Sequence, residues 1–295
     1  MPELPEVETM CRGIRSIIGC RFESVNELPC RLRPILIQPS LTAIASQLVG
    51  TRVDSVSRLG KRVLIRSDNS IYIVIEPRMT GLVLLKDPPN QTHLRLEFCL
   101  SRDPDVAGGQ PDHMRLLFWD RRGLGTVRCM TSEELDQRVC HRLGPDALAM
   151  DDLVYRQRLG KSTRAIKVAL MDQAAVAGIG NLYASEILFL AGIDPRTRCH
   201  RLSRDQWSRI HQAARRVLLD AIEYEGSTLS DGTYRNAING EGGYQHFHRV
   251  YDREDEPCGR CRQGRIRRTV QAQRSTFFCP ACQLRRGRHS SWVED

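Results

Sequence analysis

No stretch of the 295-residue chain stays apolar long enough to cross a bilayer. A span needs about 20 mostly apolar residues. The nearest approach, Ala174 to Ile193, is interrupted by Asn181, Ser185 and Glu186 and holds three glycines. The start also lacks the basic run and apolar segment of a secretory leader. Internal repeats and coiled-coil heptads are missing as well. These absences predict an intracellular protein, cytoplasmic or on the nucleoid, with no membrane partner. The chain is 41% hydrophobic, so a real core is available and bulk disorder is excluded. Its length suits two domains or one large one.

Acid is scarce where base is concentrated. The formal charge is +9, from 44 Lys and Arg against 35 Asp and Glu. Cys258 to Asp295 holds nine Arg and two acids, a net of +7, which leaves only +2 for the rest of the chain. Clustered Arg points to a polyanion, most often nucleic acid, with a merely solvated basic tail as the alternative. Of the eleven Cys, seven are scattered and four sit in the tail as Cys258-x-x-Cys261 and Cys279-x-x-Cys282. Without a leader, thiols and a metal site are expected, not disulfides.

Apolar residues at helical spacing from Val7 to Ile18 predict a helix over 5–18, with Pro5 at its start. Glu3, Glu6 and Glu8 then lie near the positive end of the helix dipole. From about 51 to 130 the period changes to short runs that predict strands: 63–65, 71–75, 94–98 and 116–119. His93, Arg95 and Glu97 alternate with Leu94, Leu96 and Phe98, which predicts a sheet with one wet face. Residues 101–112 read as a loop. Helices follow. Thr131-x-x-Glu134 and Ser203-x-x-Gln206 are capping-box patterns, and Gly226 suits a helix end. Residues 226–249 have no period, and a loop that long in a compact chain is functional or disordered.

Three segments carry chemistry. Four thiolates in two knuckles can surround a tetrahedral Zn²⁺ with no open position, which makes such a zinc structural. Arg265, Arg267, Arg268 and Arg274 would ride on the resulting hairpin and present guanidinium forks to phosphates. At the other end, a small residue at position 2 favours loss of Met1, and the mature chain would begin with the secondary amine of Pro2. A terminal amine has a pKa of about 7.7–8, so it can attack the C1′ of a deoxyribonucleoside and form an iminium. Glu3 beside it could move protons; alternatively, the segment only caps a helix. Third, Gly178-Ile179-Gly180-Asn181 precedes a helical run and offers backbone N–H groups to a phosphate, or is simply a tight connection.

In this order the segments resemble the formamidopyrimidine-DNA glycosylase family. The match runs through Pro2-Glu3-Leu4-Pro5-Glu6-Val7-Glu8-Thr9, Gly60-Lys61-Arg62, Met79-Thr80-Gly81, Asp120-Arg121-Arg122, Leu143-Gly144-Pro145, Gly178 to Glu186, and Gln273 to Gln283. The resemblance implies an α+β multidomain protein. Residues 1–130 would form a catalytic β-sandwich with flanking helices. Residues 131–250 would form a helix-two-turns-helix DNA-binding domain with a loop that closes over the lesion. Residues 251–295 would form a zinc-finger hairpin holding one structural Zn²⁺ on Cys258, Cys261, Cys279 and Cys282.

The implied activity is base excision repair. Oxidised purines (8-oxoguanine, formamidopyrimidines) would be excised from double-stranded DNA and the abasic site cleaved by β,δ-elimination, with the enzyme acting as a monomer. Pro2 would be the nucleophile, Glu3 the proton donor and Glu6 its support. Lys61, Asn181 and Arg274 would bind phosphates, with His93 and Lys167 added to the DNA-binding set. Met79, Arg122 and Leu124 would fill the hole left by the flipped base, and backbone amides around Ser230 to Tyr234 would read the lesion. An endonuclease VIII-like enzyme, which prefers oxidised pyrimidines, shares the scaffold. The Leu4-Pro5-Glu6 start and the long loop favour the purine reading. A non-catalytic zinc-ribbon DNA-binding protein would explain the tail alone. Two departures stand out: Leu124 replaces an aromatic wedge, and Glu76-Pro77-Arg78 replaces the family's frequent His-Leu-Gly.

Overall fold

The computed structural model describes residues 2–102, 112–230 and 232–284. It contains two compact units, one of residues up to 142 with 221–245, the other of 143–220 with 246 onward. The sequence-based boundaries at 130 and 250 place 221–245 with the helical segment; by contacts these residues belong with the first unit.

The first unit is built on two sheets. Strands β1 (Arg21–Glu27), β7 (Leu94–Arg102), β8 (Asp112–Asp120) and β6 (Gly81–Leu84) form one, in that spatial order. Strands β2 (Leu36–Gln38), β9 (Thr126–Thr131), β5 (Ile71–Glu76), β4 (Arg62–Ser67) and β3 (Val53–Leu59) form the other. All pairings are antiparallel except β2 with β9. Phe22, Phe98 and Phe118 of the first sheet and Val63, Ile65, Ile73, Ile75 and Val127 of the second share one buried cluster. This is the core of a sandwich, in which burial of the inward side chains is the main favourable term.

Several sequence expectations are corrected. The first helix, α1, ends early at Leu4–Gly13, followed by a 3-10 turn at Arg15–Ile17. A Cβ on Gly13 would come within 2.4 Å of the Ala237 side chain. Ile14 and Ile17 remain buried, whereas Ile18 is 43% exposed. The wet face expected of residues 93–97 fails at Arg95, which is buried. The β7–β8 register shifts between Leu94 and Leu96, and Arg95 donates to the backbone carbonyls of Asp120 (2.8 Å) and Arg33 (2.9 Å). Of the expected loop 101–112, the ends are strand and 103–111 lie outside the described residues. Helix α2 (Leu41–Leu48), capped by Ser40, has no counterpart in the sequence-based expectations.

Helix α3 (Ser132–Arg138) starts on the expected capping box, with Glu134 N–H donating to Thr131 Oγ1 (3.3 Å) and Thr131 N–H to Glu134 Oε2 (3.1 Å). In the second unit, α4 (Asp152–Leu159), α5 (Ile166–Leu170) and α6 (Asn181–Leu190) precede α7 (Arg204–Glu223), whose last residues count with the first unit. The Ser203–Gln206 box at the start of α7 is formed reciprocally. The interrupted apolar run of the sequence proves to be the core helix α6, buried from Leu182 to Phe189. Strands β10 (Arg267–Gln271) and β11 (Arg274–Phe278) make the terminal hairpin. No helix among the described residues is long and apolar enough to cross a membrane.

Candidate active site and nucleic-acid interface

Glu8 on α1 accepts from Arg58 (3.1 Å), Cys11 lies against the Ser57 carbonyl, and Gly19 N–H reaches Val53. The N-terminus of α1 therefore points toward the Leu59 end of β3. There a two-residue turn, Gly60-Lys61, leads into β4. Val63 pairs with Ile75, and Ile75 with Val127. The Lys61 turn, the turn after Glu76 and the loop before Thr126 consequently leave the sheet at the same end. Met79, Arg122 and Leu124 sit in the last two. One end of the sandwich thus gathers the N-terminus, Lys61 and all three proposed wedge residues.

Pro2, Glu3 and Glu6 are buried. The Glu6 carboxylate is held by two amides: Glu3 N–H donates to Oε2 (2.8 Å) and Ser227 N–H to Oε1 (2.9 Å). The second amide comes from the period-less loop. Gly226, with φ +80°, turns the chain there, and a Cβ on it would sit 2.9 Å from Glu6 Oε1. The Tyr234 hydroxyl donates to the Glu225 carbonyl (3.0 Å), and burial together with the nearby Glu6 pushes its pKa well up. Leu85 N–H and Arg121 hold the loop at Ala237 and Thr233. The loop is thus built onto the α1 end of the sandwich by hydrogen bonds rather than by regular structure. Of Ser230 to Tyr234, Asp231 lies outside the described residues.

The wedge loop has an organiser that the sequence did not single out. Asp120 is fully buried and accepts from Thr80 Oγ1 (2.5 Å), Arg122 N–H (3.2 Å) and Gly125 N–H (2.8 Å). Thr80 in turn accepts from Arg122 N–H (3.0 Å). The Met79 turn and the Arg122 loop are therefore locked to one carboxylate. Gly123, with φ +61°, passes so close to Arg33 that a Cβ would meet its carbonyl at 2.2 Å. Arg122 is exposed, Met79 is 37% exposed and Leu124 is half-buried. His93 Nδ1 donates to Asn90 Oδ1 (2.8 Å) and the ring packs edge-on against Trp119; burial, then Arg95 and Arg121, lower its pKa.

In the second unit the structure brings Lys167, Asn181 and the terminal hairpin together. Lys167 is 1% exposed. Its ammonium donates to Asn181 Oδ1 (2.7 Å), the Ser275 carbonyl (2.9 Å) and Thr276 Oγ1 (2.8 Å). An ammonium has three donors, so Lys167 is spent on tying α6 to β11, with Arg274 exposed at the near end of β11. Glu186 on the same helix accepts from three successive amides, Arg249, Val250 and Tyr251 (2.8–2.9 Å), against a burial that pushes its pKa up. A lone acid within an apolar helical run was the signal available for it.

The four tail cysteines converge, with their sulfurs all within 4.8 Å of one another. Cys258–Cys282 and Cys261–Cys279 sulfur separations are 3.6 and 3.8 Å. A tetrahedral ion with Zn–S bonds of about 2.3 Å sets ligands about 3.8 Å apart, so the residues fit one structural zinc. Burial raises the Cys261 thiol, but hydrogen bonds from the Gly264 and Gln263 backbones and from Cys282 and Cys258 together bring its pKa down to about 7; burial pushes the Cys279 and Cys282 thiols up. The tail's charge is not all directed outward: Arg260 caps the α6 carbonyls of Phe189 and Leu190 and stacks on Phe189. Arg265, Arg267 and Arg268 are exposed like Arg274, with Arg265 on the Asp255 carbonyl and Arg268 on Ser275.

Residues 1–127 match the formamidopyrimidine-DNA glycosylase N-terminal domain. Residues 143–233 match the H2TH domain of the same enzymes, and 255–285 the zinc finger found in FPG and IleRS. The formamidopyrimidine-DNA glycosylase of Chloroflexus aggregans is 39% identical, over 96% of this chain and 99% of that protein. The chain belongs to the formamidopyrimidine-DNA glycosylase family. The MutM (Fpg) protein of Thermus thermophilus superimposes with a TM-score of 0.80 at 33% identity, covering 96% of this chain and 98% of that one. The Lactococcus lactis Fpg in complex with DNA containing an abasic site gives a TM-score of 0.80 at 28% identity, over 96% and 99%. Against the family, the two departures are structurally distinct. Leu124 is accommodated half-buried in an otherwise fixed loop, whereas Arg78 takes a left-handed backbone, φ +55°.

Proposed function

We propose that this protein is a DNA glycosylase and abasic-site lyase that excises oxidised purines from duplex DNA, acting as an intracellular monomer. The observation that carries the reading is the Pro2-Glu3 terminus, buried beside a Glu6 carboxylate that also holds the Gly226–Gln245 loop.

With Met1 removed, the Pro2 amine attacks C1′ as the damaged base departs. Glu3 delivers the proton to the sugar ring oxygen, and an iminium forms. Glu6 fixes both the terminus and the loop, so positioning contributes to the rate. The iminium acidifies C2′–H, whose loss expels the 3′ phosphate. A second elimination expels the 5′ phosphate and leaves a one-nucleotide gap. Lys61, Asn181 and Arg274 bind flanking phosphates, His93 is a further DNA contact, and Lys167 sets Asn181. Met79, Arg122 and Leu124 fill the space of the extruded nucleotide. Zinc on the four cysteines holds the hairpin and takes no step in the reaction.

Borohydride reduction tests this. It should trap a covalent adduct with an 8-oxoguanine duplex, and intact mass should lack Met1. Pro2→Gly should trap poorly while still binding DNA with an abasic-site analogue. An adduct confined to oxidised pyrimidines would move the enzyme to the endonuclease VIII-like class, and no adduct on any lesion or abasic site would overturn the enzyme reading.

A further inference from the structure

The Glu76-Pro77-Arg78 departure lies beside Met79, and it carries a charge arrangement of its own. Glu76 is 5% exposed, an acid buried at the end of the sandwich that also carries Lys61. An uncompensated carboxylate there would repel a phosphate backbone. Two guanidiniums cover it: Arg62 pairs with Oε1, and Arg78 Nη2 lies 2.8 Å from Oε2. Two cations on one carboxylate leave one positive charge in excess. Arg62 keeps 23% of its side chain exposed, Arg78 56%. The excess charge therefore reaches solvent mainly through Arg78.

Two further features bear on Arg78. Its φ of +55° is left-handed, a conformation it shares with nine other non-glycine residues among those described, so the backbone alone assigns it no role. In addition, Glu76 Oε2 receives no aligned hydrogen bond despite the short ion pair. The guanidinium leans on the acid by charge and keeps more than half of its side chain exposed.

We propose that Arg78 is a further DNA contact: a guanidinium that binds a backbone phosphate beside the wedge residue Met79 and is held ready by the buried carboxylate of Glu76. The inference rests on the DNA-binding reading above and extends it to a position where the family frequently has glycine. A phosphate is favoured over a base edge because an exposed guanidinium suits a bidentate oxyanion without sequence choice.

The test is the salt dependence of binding to duplexes with an abasic-site analogue, and to undamaged duplex, for the full-length zinc-loaded protein. Each phosphate contact adds about 0.9 to the slope of log K against log salt. Arg78→Gly should lower that slope by about 0.9 and weaken binding about tenfold at 0.1 M salt, equally across sequences. Its melting temperature should hold or rise, because glycine relieves the left-handed strain. Arg78→Lys should keep the slope, and Glu76→Gln should bind about two- to threefold more weakly than the parent, because the guanidinium loses the carboxylate that holds it. An Arg78→Gly protein with unchanged slope overturns the proposal, as does a change confined to one opposite base. If the parent binds with an Arg78-dependent slope yet forms no borohydride adduct, the enzyme reading fails and this contact stands.

Discussion

Lys61 and Lys167 present the same ammonium in two opposite settings. Lys61 is half-buried in a hairpin turn at the open end of a sandwich whose core is complete without it. Lys167 is sealed in the second unit and joins α6 to a hairpin that a metal site closes. The carboxylates invert the comparison. Glu6 is fixed by one amide of its own helix start and one from the loop at Ser227, within a unit built on long ladders. Glu186 takes three amides from a segment with no regular structure. The first region is held by two sheets around one large hydrophobic cluster, and its buried polar groups, such as Asp120 and Arg95, fix the loops at the ends of the strands. The second unit has an apolar core of its own, from Tyr155 and Leu159 through α6 to Trp207 and Leu218, but its terminal hairpin, with only the small cluster around Phe277 and Ile266, relies on buried polar struts and on zinc. Small modules often need such a staple.

Removing the staple is the largest perturbation. Chelation, or Cys279→Ser, should release zinc and weaken DNA binding on the order of a hundredfold, because Arg274 and the Lys167 anchor points share the hairpin. The β signature of the sandwich in far-UV circular dichroism should persist. Unchanged zinc content in Cys279→Ser would refute the four-cysteine site, and collapse of the β signature would show that the first region also depends on the metal.

The two lysines separate next. Lys167→Met leaves an amide oxygen, a carbonyl and a hydroxyl without their donor, which should cost about 3 kcal/mol in a urea titration. Lys61→Met should move stability by no more than about 0.5 kcal/mol, yet lower DNA affinity about tenfold and reduce the salt slope by about 1. The reverse pattern would break the division between a supporting and a binding lysine.

These differences also explain what the sequence made legible. Zinc ligands three residues apart, the Thr131 and Ser203 capping boxes and the proline-led first helix are local patterns, and they are found where expected. The shortened first helix and the burial of Arg95 were not legible, because Ala237 and the Arg33 carbonyl enforce them from far along the chain. Asp120 sits in a family-like motif and Lys167 in the expected DNA-binding set, but the sequence shows neither as a buried strut. Their partners lie 40 residues away at Thr80 and 109 away at Thr276, separations at which no spacing rule operates.

The polar support of the second region should also make it acid-sensitive. His248 is 7% exposed, and burial, then Arg253, Arg249 and His246, lower its pKa to about 4. A histidine whose folded pKa is depressed contributes stability above its unfolded value of about 6.5. That contribution is lost as pH falls toward the folded value. Between pH 7.5 and 5 the loss should be about 2 kcal/mol. Urea midpoints of the parent and His248→Asn across this window measure it; parallel curves would remove His248 as the source.

The smallest effect tests whether the hairpin is rigid for a reason. Ala272 and Gln273 join β10 to β11 in a two-residue turn with φ of +47° and +58°. Both values are left-handed, the pattern of a type I′ turn, in which glycine is preferred at the second position. Gln273→Gly removes a left-handed cost of about 1 kcal/mol and returns part of it as unfolded-state entropy, for a net gain of about 0.5 kcal/mol. The residue that follows is Arg274, so freedom gained at 273 is freedom given to its guanidinium. DNA affinity should fall about two- to threefold as preorganisation is lost, even as the protein becomes more stable. Equal affinity in the more stable variant would show that the turn only closes the hairpin and that Arg274 is aimed by β11 alone.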